Sequence, residues 1–210
     1  MNYEDIASLT YLSSLYIGNN ILDVLPAALW TLTELRNLGL NGNNLSSIPK
    51  EIGALLNLRQ FDVSKNKVLL VPTEIGQLTA LTYFNIASNE ITALPHEVGQ
   101  LINLQYFYVG DNQLSNLPTS IMDLSNIEYL SISNNNFSTL PNEIEQLTTL
   151  IELNISYNTI NTLPATMAEL INLEELDLRG NSYFSIPQAV CDLDSIHGTV
   201  IYKDEVVTCD

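Results

Sequence analysis

Three tyrosines recur at intervals of 23 residues: Tyr83, Tyr106 and Tyr129. Tyrosine offers a large, fairly rigid contact surface with a polar tip, and it is enriched at binding hot spots and in antibody paratopes. Tyr108 and Tyr157 are predicted to stand on the same surface. The pattern therefore favours noncovalent recognition. Surface tyrosines also suit strands and shield a sheet without binding anything, and this alternative stays open.

Charged residues extend the tyrosine ladder in both directions along the chain. Glu152 and Glu175 continue it at the same step after Tyr129, and basic groups of a ligand are expected to point at them. Arg36 and Arg59 are also one step apart, and they would attract acidic groups. A folded protein or a peptide would use this whole gradient, whereas a glycan would use mainly the tyrosines.

No residue pattern typical of a catalytic centre is present. The two histidines, His96 and His197, are 101 positions apart, and the chain has no nucleophile elbow, no phosphate-binding glycine loop and no cluster with metal-ligand spacing. Glu174 and Glu175 are adjacent, but neighbours in a strand point to different sides. We therefore expect no enzymatic activity, no cofactor and no metal site.

The elements that position the tyrosines repeat at the same interval. One proline and one asparagine recur at fixed positions of every interval, without an insertion or deletion from residue 12 to residue 195. The prolines are Pro26, Pro49, Pro72, Pro95, Pro118, Pro141, Pro164 and Pro187, and the asparagines are Asn20, Asn43, Asn66, Asn89, Asn112, Asn135, Asn158 and Asn181. The chain is therefore a repeat protein with eight complete units.

Each unit has a strand half and a helical half. Apolar residues first alternate, as at Leu38 and Leu40, which is typical of a short strand with one buried face. After the proline the spacing lengthens to Ile52 and Leu55, which suits a helical turn. One unit cannot bury its own apolar residues, but stacked units can. The asparagine is predicted to bond turn backbone groups. Three phenylalanines at one unit position should stack in the core: Phe61, Phe84 and Phe107.

This unit, L-x-x-L-x-L-x-x-N-x-L-x-x-L-P-x-x-I-x-x-L-x-x, resembles the leucine-rich repeat. The L-P-x-x-I form is similar to the Ras-group-related subclass of plants and to the repeats of many bacterial proteins. The resemblance implies an α/β repeat fold, a curved solenoid with a parallel β-sheet on its concave face and short helices or turns on its convex face. It is a weak guide to function, because such scaffolds carry many roles, most of them binding.

The charge balance excludes some partners. The chain has 7 basic and 24 acidic residues and a formal net charge of −17, so no basic stripe is available to neutralise nucleic acid phosphates. Basic partners or divalent cations are compatible with this charge, although solubility alone also explains it. No apolar run is long enough for membrane insertion.

The two ends depart from the repeat. Residues 1–11 are interpreted as a partial repeat or minimal cap, residues 12–195 as the eight repeats, and residues 196–210 as a capping half-repeat. Tyr3 stands where a proline would be. Either a leader or upstream domain precedes this tail, which we favour, or the tail is itself the cap. An uncapped end would allow pairing with another copy, so the oligomeric state stays open.

Cys191 and Cys209 are the only cysteines, and the stacking of the last units would let them meet. A disulfide closing this loop would stabilise the fold by about 3 kcal/mol in the chain-entropy model. Because disulfides persist mainly in oxidising compartments, the pair would place the protein outside the cytosol. Cysteine-stapled caps are also common in extracellular members of the family that the chain resembles. The alternative is two unrelated buried thiols.

Three functional hypotheses follow. The leading one is a non-catalytic recognition module, an adhesin or receptor fragment, that binds a protein or peptide on its concave tyrosine-rich face and is extracellular or exposed at the cell surface. The second is an intracellular, cytoplasmic signalling scaffold of the Ras-group kind with free cysteines. The third is a glycan-binding domain.

Overall fold

The computed structural model describes residues 6, 8–183 and 185–210. Short parallel strands form along the whole chain, one in each unit. In chain order they are β1 (Ser14–Tyr16), β2 (Asn37–Gly39), β3 (Gln60–Asp62), β4 (Tyr83–Asn85), β5 (Tyr106–Tyr108), β6 (Tyr129–Ser131), β7 (Glu152–Asn154), β8 (Glu175–Asp177), β9 (Ser185–Ile186), β10 (Val200–Tyr202) and β11 (Thr208–Cys209).

The strands pair in strict register. In the described residues the main sheet has nine strands in the order β1 to β8 followed by β10, and all its pairs are parallel. From β1 to β8 each residue pairs with the one a full repeat later, so that Phe61 faces Phe84 and Tyr106 faces Tyr129. The last pair is shifted by two residues, because Leu176 of β8 faces Ile201 of β10. Strands β9 and β11 pair separately near the C-terminal end. The register predicted from the period is confirmed from β1 to β8.

The opposite side of each unit is a 3₁₀ turn of five residues. The turns are Ala27–Thr31, Lys50–Ala54, Thr73–Gln77, His96–Gln100, Thr119–Asp123, Asn142–Gln146 and Ala165–Glu169. Proline directly precedes each turn, in an extended conformation that suits its fixed φ. The eighth unit instead has an α-helix, α1 (Gln188–His197), which ends at Gly198 with a left-handed φ of 78°. The curved leucine-rich-repeat architecture predicted from the sequence is confirmed.

Apolar residues from every unit form one continuous core. The rings of Phe61 and Phe84 lie 5.6 Å apart and those of Phe84 and Phe107 lie 5.5 Å apart, and each pair is tilted by only 9°. All three side chains are fully buried. The predicted phenylalanine stack is therefore confirmed. The stack holds each phenylalanine on the inner side of its strand, so the residues before and after it in the strand point outward.

The asparagine ladder joins each unit to the one before it. The side-chain amide of Asn89 donates to the carbonyl oxygens of Val63 and Ile86 at 3.1 and 3.0 Å. Its oxygen accepts the backbone N–H of Val68 at 2.9 Å. Asn89 is only 8% exposed, so these groups have no access to bulk water. The structural role predicted for the ladder is confirmed at this position.

The C-terminal end is closed by a disulfide between Cys191 on α1 and Cys209 on β11, whose Cα atoms lie 6.3 Å apart. At the other end, most of the expected partial repeat of residues 1–11 lies outside the described residues, including Tyr3. Ile6 is described, and it packs against the core. Across the described chain, no helix is long and apolar enough to cross a membrane.

Candidate functional site: the concave sheet face

Four tyrosines meet on the concave face of the sheet. The rings of Tyr106 and Tyr129 stack 4.6 Å apart with a tilt of 9°. Tyr83 lies 6.2 Å from Tyr106 and 5.7 Å from Tyr108, in tilted geometry. We call these four residues the tyrosine cluster. Their separations fall in the range at which aromatic rings attract one another.

The strands of the central units place the tyrosine cluster. In β4 and β5 the middle residue, Phe84 or Phe107, points into the core, so its neighbours on either side point out. Adjacent strands lie about 4.8 Å apart, so Tyr106 lies beside Tyr83 of the preceding unit. Tyr108 joins them from the far end of β5. The same alternation that builds the core therefore builds the aromatic surface.

The surroundings of Tyr83, Tyr108 and Tyr129 favour the neutral form of their phenols. Partial burial raises the pKa of Tyr83, and the nearby Asp62 carboxylate raises it further. Burial first, and then the neighbouring phenols and Glu152, raise the pKa of Tyr108. Burial, followed by Tyr106 and nearby carboxylates, raises the pKa of Tyr129. The cluster therefore presents hydroxyl groups that can both donate and accept hydrogen bonds.

Two cavities open on this face, one on each side of Tyr83. The larger, about 390 Å³, lies between Tyr83 and Tyr108 on one side and Asp111, Ser131 and Ser133 on the other. We call it the Asp111 cleft. The smaller, about 210 Å³, lies between Tyr83 and Tyr16, above Gly39.

Glycines keep both cavities open. A Cβ atom at Gly110 would lie 2.8 Å from the Ser133 hydroxyl oxygen, and one at Gly39 would lie 2.6 Å from the Tyr16 ring. Sequence reasoning did not single out Tyr16. Tyr16 holds the same unit position as Tyr108, two residues after the position of Tyr83 and Tyr106, and this equivalence could have identified it.

Carboxylates border the cluster on its C-terminal side. Burial raises the pKa of Glu152, and the charges of Glu175 and Asp177 raise it further. Asp177 is paired with Arg179, whose guanidinium donates to it at 2.6 and 2.9 Å and also lies 5.1 Å from the centre of the Tyr202 ring. Glu152 thus lies beside Tyr129 of the cluster, and Glu175 lies one strand further on, beside Glu152.

The other three predicted site residues, two arginines and a tyrosine, also lie outside the cluster. Arg36 and Arg59 are exposed neighbours at the starts of β2 and β3, joined by a 2.8 Å backbone hydrogen bond. Tyr157 follows β7 in a left-handed conformation with φ 54°, and its ring covers Gly180. No ring contact between Tyr157 and the cluster occurs among the described residues. The described residues also contain no group of three or more His, Cys, Asp or Glu suited to a metal ion.

Family models match most of this repeat array. A model described as a leucine-rich repeat region matches residues 73–157, and one described as leucine rich repeat matches residues 34–55 and 172–193. The chain is a leucine-rich-repeat protein. This agrees with the nine parallel strands and the convex turns of the described structure. No curated protein sequence matches the chain significantly.

Solved leucine-rich-repeat structures match it closely. A leucine-rich-repeat protein of Leptospira interrogans is 35% identical with a TM-score of 0.88, and the match covers 94% of this chain and 50% of that one. The ectodomain of the Arabidopsis thaliana membrane receptor kinase GASSHO1/SCHENGEN3, in complex with CASPARIAN STRIP INTEGRITY FACTOR 2, is 29% identical with a TM-score of 0.78; 85% of this chain and 22% of that chain are covered.

An internalin, inlF, of Listeria monocytogenes shows the same fold at 23% identity and a TM-score of 0.81, with 98% of this chain and 62% of that chain covered. This leucine-rich-repeat protein therefore spans half the length of its Leptospira relative and less than two thirds of the other two chains.

Proposed function

We propose that this leucine-rich-repeat protein is a non-catalytic recognition module that binds a protein or peptide on its concave face, centred on the tyrosine cluster. The observation that carries the proposal is the packing of Tyr83, Tyr106, Tyr108 and Tyr129 into one partly exposed aromatic surface between two cavities. Rigid aromatic side chains bind partners at low conformational entropy cost.

The charges around the cluster give the proposed surface a direction. Glu152 and Glu175 lie on its C-terminal side, and Arg36 and Arg59 lie on its N-terminal side. A partner segment lying across the strands would therefore place basic groups towards Glu152 and acidic groups towards Arg59. Electrostatic complementarity of this kind fixes orientation and speeds association more than it adds affinity.

One of the similar proteins supports a recognition role. The Arabidopsis relative is the ectodomain of a membrane receptor kinase that was solved in complex with CASPARIAN STRIP INTEGRITY FACTOR 2. We carry over from it only the proposal that this chain also binds a partner.

We further propose that the protein works in an oxidising compartment, outside the cell or at its surface. The support is the disulfide between Cys191 and Cys209, which staples β11 to α1 at the end of the solenoid. Intact mass after thiol alkylation, with and without reduction, tests this in protein from its native compartment. Two alkylated thiols without reduction would instead support the cytoplasmic scaffold.

Selection from a peptide library displayed on phage tests the binding face. Peptides selected on the wild-type protein should bind the triple variant Tyr83→Ala, Tyr106→Ala, Tyr129→Ala at least roughly a hundredfold more weakly, because hot-spot tyrosines each contribute about 2 kcal/mol or more. Affinities are measured by isothermal titration calorimetry. Circular dichroism checks that the variant keeps its fold.

A second triple variant provides the matched control. Leu56, Ile102 and Ile171 are each more than half exposed, and they share one unit position in the turns that precede the strands. Their replacement by alanine should leave affinity unchanged. Peptides that bind the tyrosine variant as tightly as the wild type would overturn the proposed site. Selection of oligosaccharides but no peptides would support the glycan alternative.

A further inference from the structure

We infer that the Asp111 cleft is a pocket for a cationic side chain, the guanidinium of arginine or the ammonium of lysine, supplied by the partner. This inference rests on the proposed function, since it names the chemistry of one partner residue at the same face. It assigns the cleft a ligand class that the ladder of tyrosines alone does not specify.

Two of the side chains that line the cleft are aromatic. Tyr83 and Tyr108 both line it, and their ring centres lie 5.7 Å apart at an angle of 56°. A cation that enters beside them lies within reach of both ring faces, and each such contact contributes about 0.5–2 kcal/mol as the cation loses water. The amide of Asn85 donates to the Tyr83 hydroxyl at 3.3 Å, which holds one wall in place.

The carboxylate of Asp111 provides the countercharge. The hydroxyl of Ser88 donates to one of its oxygens at 3.1 Å, and the amide of Asn134 donates to the other. Both donors are neutral, so they orient the carboxylate without cancelling its charge. A guanidinium or ammonium that reaches Asp111 would gain a charge-assisted hydrogen bond, which is about twice as strong as a neutral one.

The protein itself supplies no cation to this cleft. None of the residues that line the cleft is a lysine or arginine. Lys65 holds the same unit position two units before Asp111, and no ion pair between them is found among the described residues. Among the described residues, the ion pair found is that of Arg179 with Asp177, in the eighth unit. The charge of Asp111 is therefore left for a partner, and the rest of the central sheet, including Glu152, adds negative potential rather than opposing it.

The cleft is open because residue 110 is glycine. Its volume of about 390 Å³ accommodates one long side chain, and Ser131 and Ser133 offer hydroxyl oxygens to further N–H groups. The hydroxyl oxygens of Ser131 and Ser133 lie 3.2 Å apart, so one hydroxyl donates to the other and each oxygen still has a lone pair that can accept. The polar lining thus matches a donor-only head group such as guanidinium.

The test is an NMR titration of the protein with N-acetyl-arginine amide, with N-acetyl-citrulline amide as the uncharged isostere. We expect the arginine derivative to shift the amide signals of Gly110, Ser131 and Ser133 with a dissociation constant in the millimolar range, the scale of a single small contact. Citrulline should cause no saturable shift. High salt should weaken the arginine shift, because the site is open to solvent.

Asp111→Asn is the decisive variant, because the same unit position holds Asn134 in a left-handed conformation and so tolerates asparagine. Affinity for the arginine derivative should fall roughly tenfold, the value of one charge-assisted hydrogen bond. Asp123→Asn makes the same charge change on an exposed convex residue, and it should leave the affinity unchanged.

Equal shifts with citrulline, unchanged affinity in Asp111→Asn, or saturable binding of methyl glucoside at the same amides would each overturn the inference. The titration is independent of the peptide selection. If selected peptides need the tyrosines but contain no essential arginine or lysine, the inference fails and the proposed function stands. If no peptide is selected but arginine amide still binds at Asp111, the proposed function fails and the cleft remains a cation site.

Discussion

Replacing Asn89 by alanine should strongly destabilise the protein, because this side chain bonds two units together. The substitution removes the donor to the carbonyl oxygens of Val63 and Ile86 and the acceptor for the N–H of Val68. Alanine leaves the N–H of Val68 without this acceptor in a region that is closed to water, since Asn89 is 8% exposed. The carbonyl oxygens of Val63 and Ile86 each lose one of two bonds, because they also accept from the side-chain amides of Asn66 and Asn112.

The magnitude follows from the hydrogen bonds that are lost. An orphaned buried N–H costs about 1–3 kcal/mol, and each carbonyl costs less because it keeps the bond from a neighbouring asparagine. We therefore expect the free energy of unfolding to fall by about 3 kcal/mol, which for a chain of this size lowers the melting temperature by about 6–12 °C. The measurement is urea unfolding followed by circular dichroism.

Asn20 is the matched control, because it holds the same unit position at the exposed start of the array. Its amide donates to Ile17 and Gly18 within its own unit, at 3.0 Å each. Asn20→Ala should therefore cost less than about 1 kcal/mol. Similar losses for Asn20→Ala and Asn89→Ala, or a loss below about 1 kcal/mol for Asn89→Ala, would refute the reasoning that links between units carry the stability.

Three further outcomes are expected. Tyr183→Phe should raise the free energy of unfolding by about 1 kcal/mol, measured by urea unfolding. The reason is that the buried Tyr183 hydroxyl has no described hydrogen-bond partner, and burial raises its pKa. A clear loss of stability would show that the hydroxyl is bonded. Gly99→Ala should lower the free energy of unfolding by about 2 kcal/mol. A Cβ atom at this position would lie 2.3 Å from the backbone oxygen of Ser120. An unchanged urea midpoint would contradict this close packing. The disulfide joins Cys191 and Cys209 across 18 residues, and its reduction should lower the free energy of unfolding by about 3 kcal/mol. Equal melting temperatures with and without reductant would contradict this contribution.

The repeat architecture was predictable because the residues of each unit determine that unit's own strand and turn. The spacing of Leu38, Leu40 and Asn43 specifies a strand and a turn within one unit, and the constant period specifies how every unit stacks on the next. The stacked rings of Phe61 and Phe84 follow directly from that register. No long-range information is needed, since each unit contacts only its neighbours.

The convex side was predicted less sharply. Helices and turns were both compatible with the spacing after each proline, and the structure has 3₁₀ turns in seven units and an α-helix in the eighth. The difference depends on packing against the adjacent unit. At Gly99 the next turn approaches so closely that a Cβ atom would clash, whereas α1 is followed by β10 and β11 in the described chain.

The sequence by itself determined which residues face outward from the sheet, because strand alternation is set by the backbone. Only the tertiary structure decided which of them meet. Tyr108 joins the tyrosine cluster from the end of β5, whereas Tyr157 turns away over Gly180 because its backbone has already left the strand with a positive φ. The Asp111 cleft likewise exists only through side-chain packing across neighbouring units, which depends on rotamers and on the missing side chain at position 110 rather than on the period.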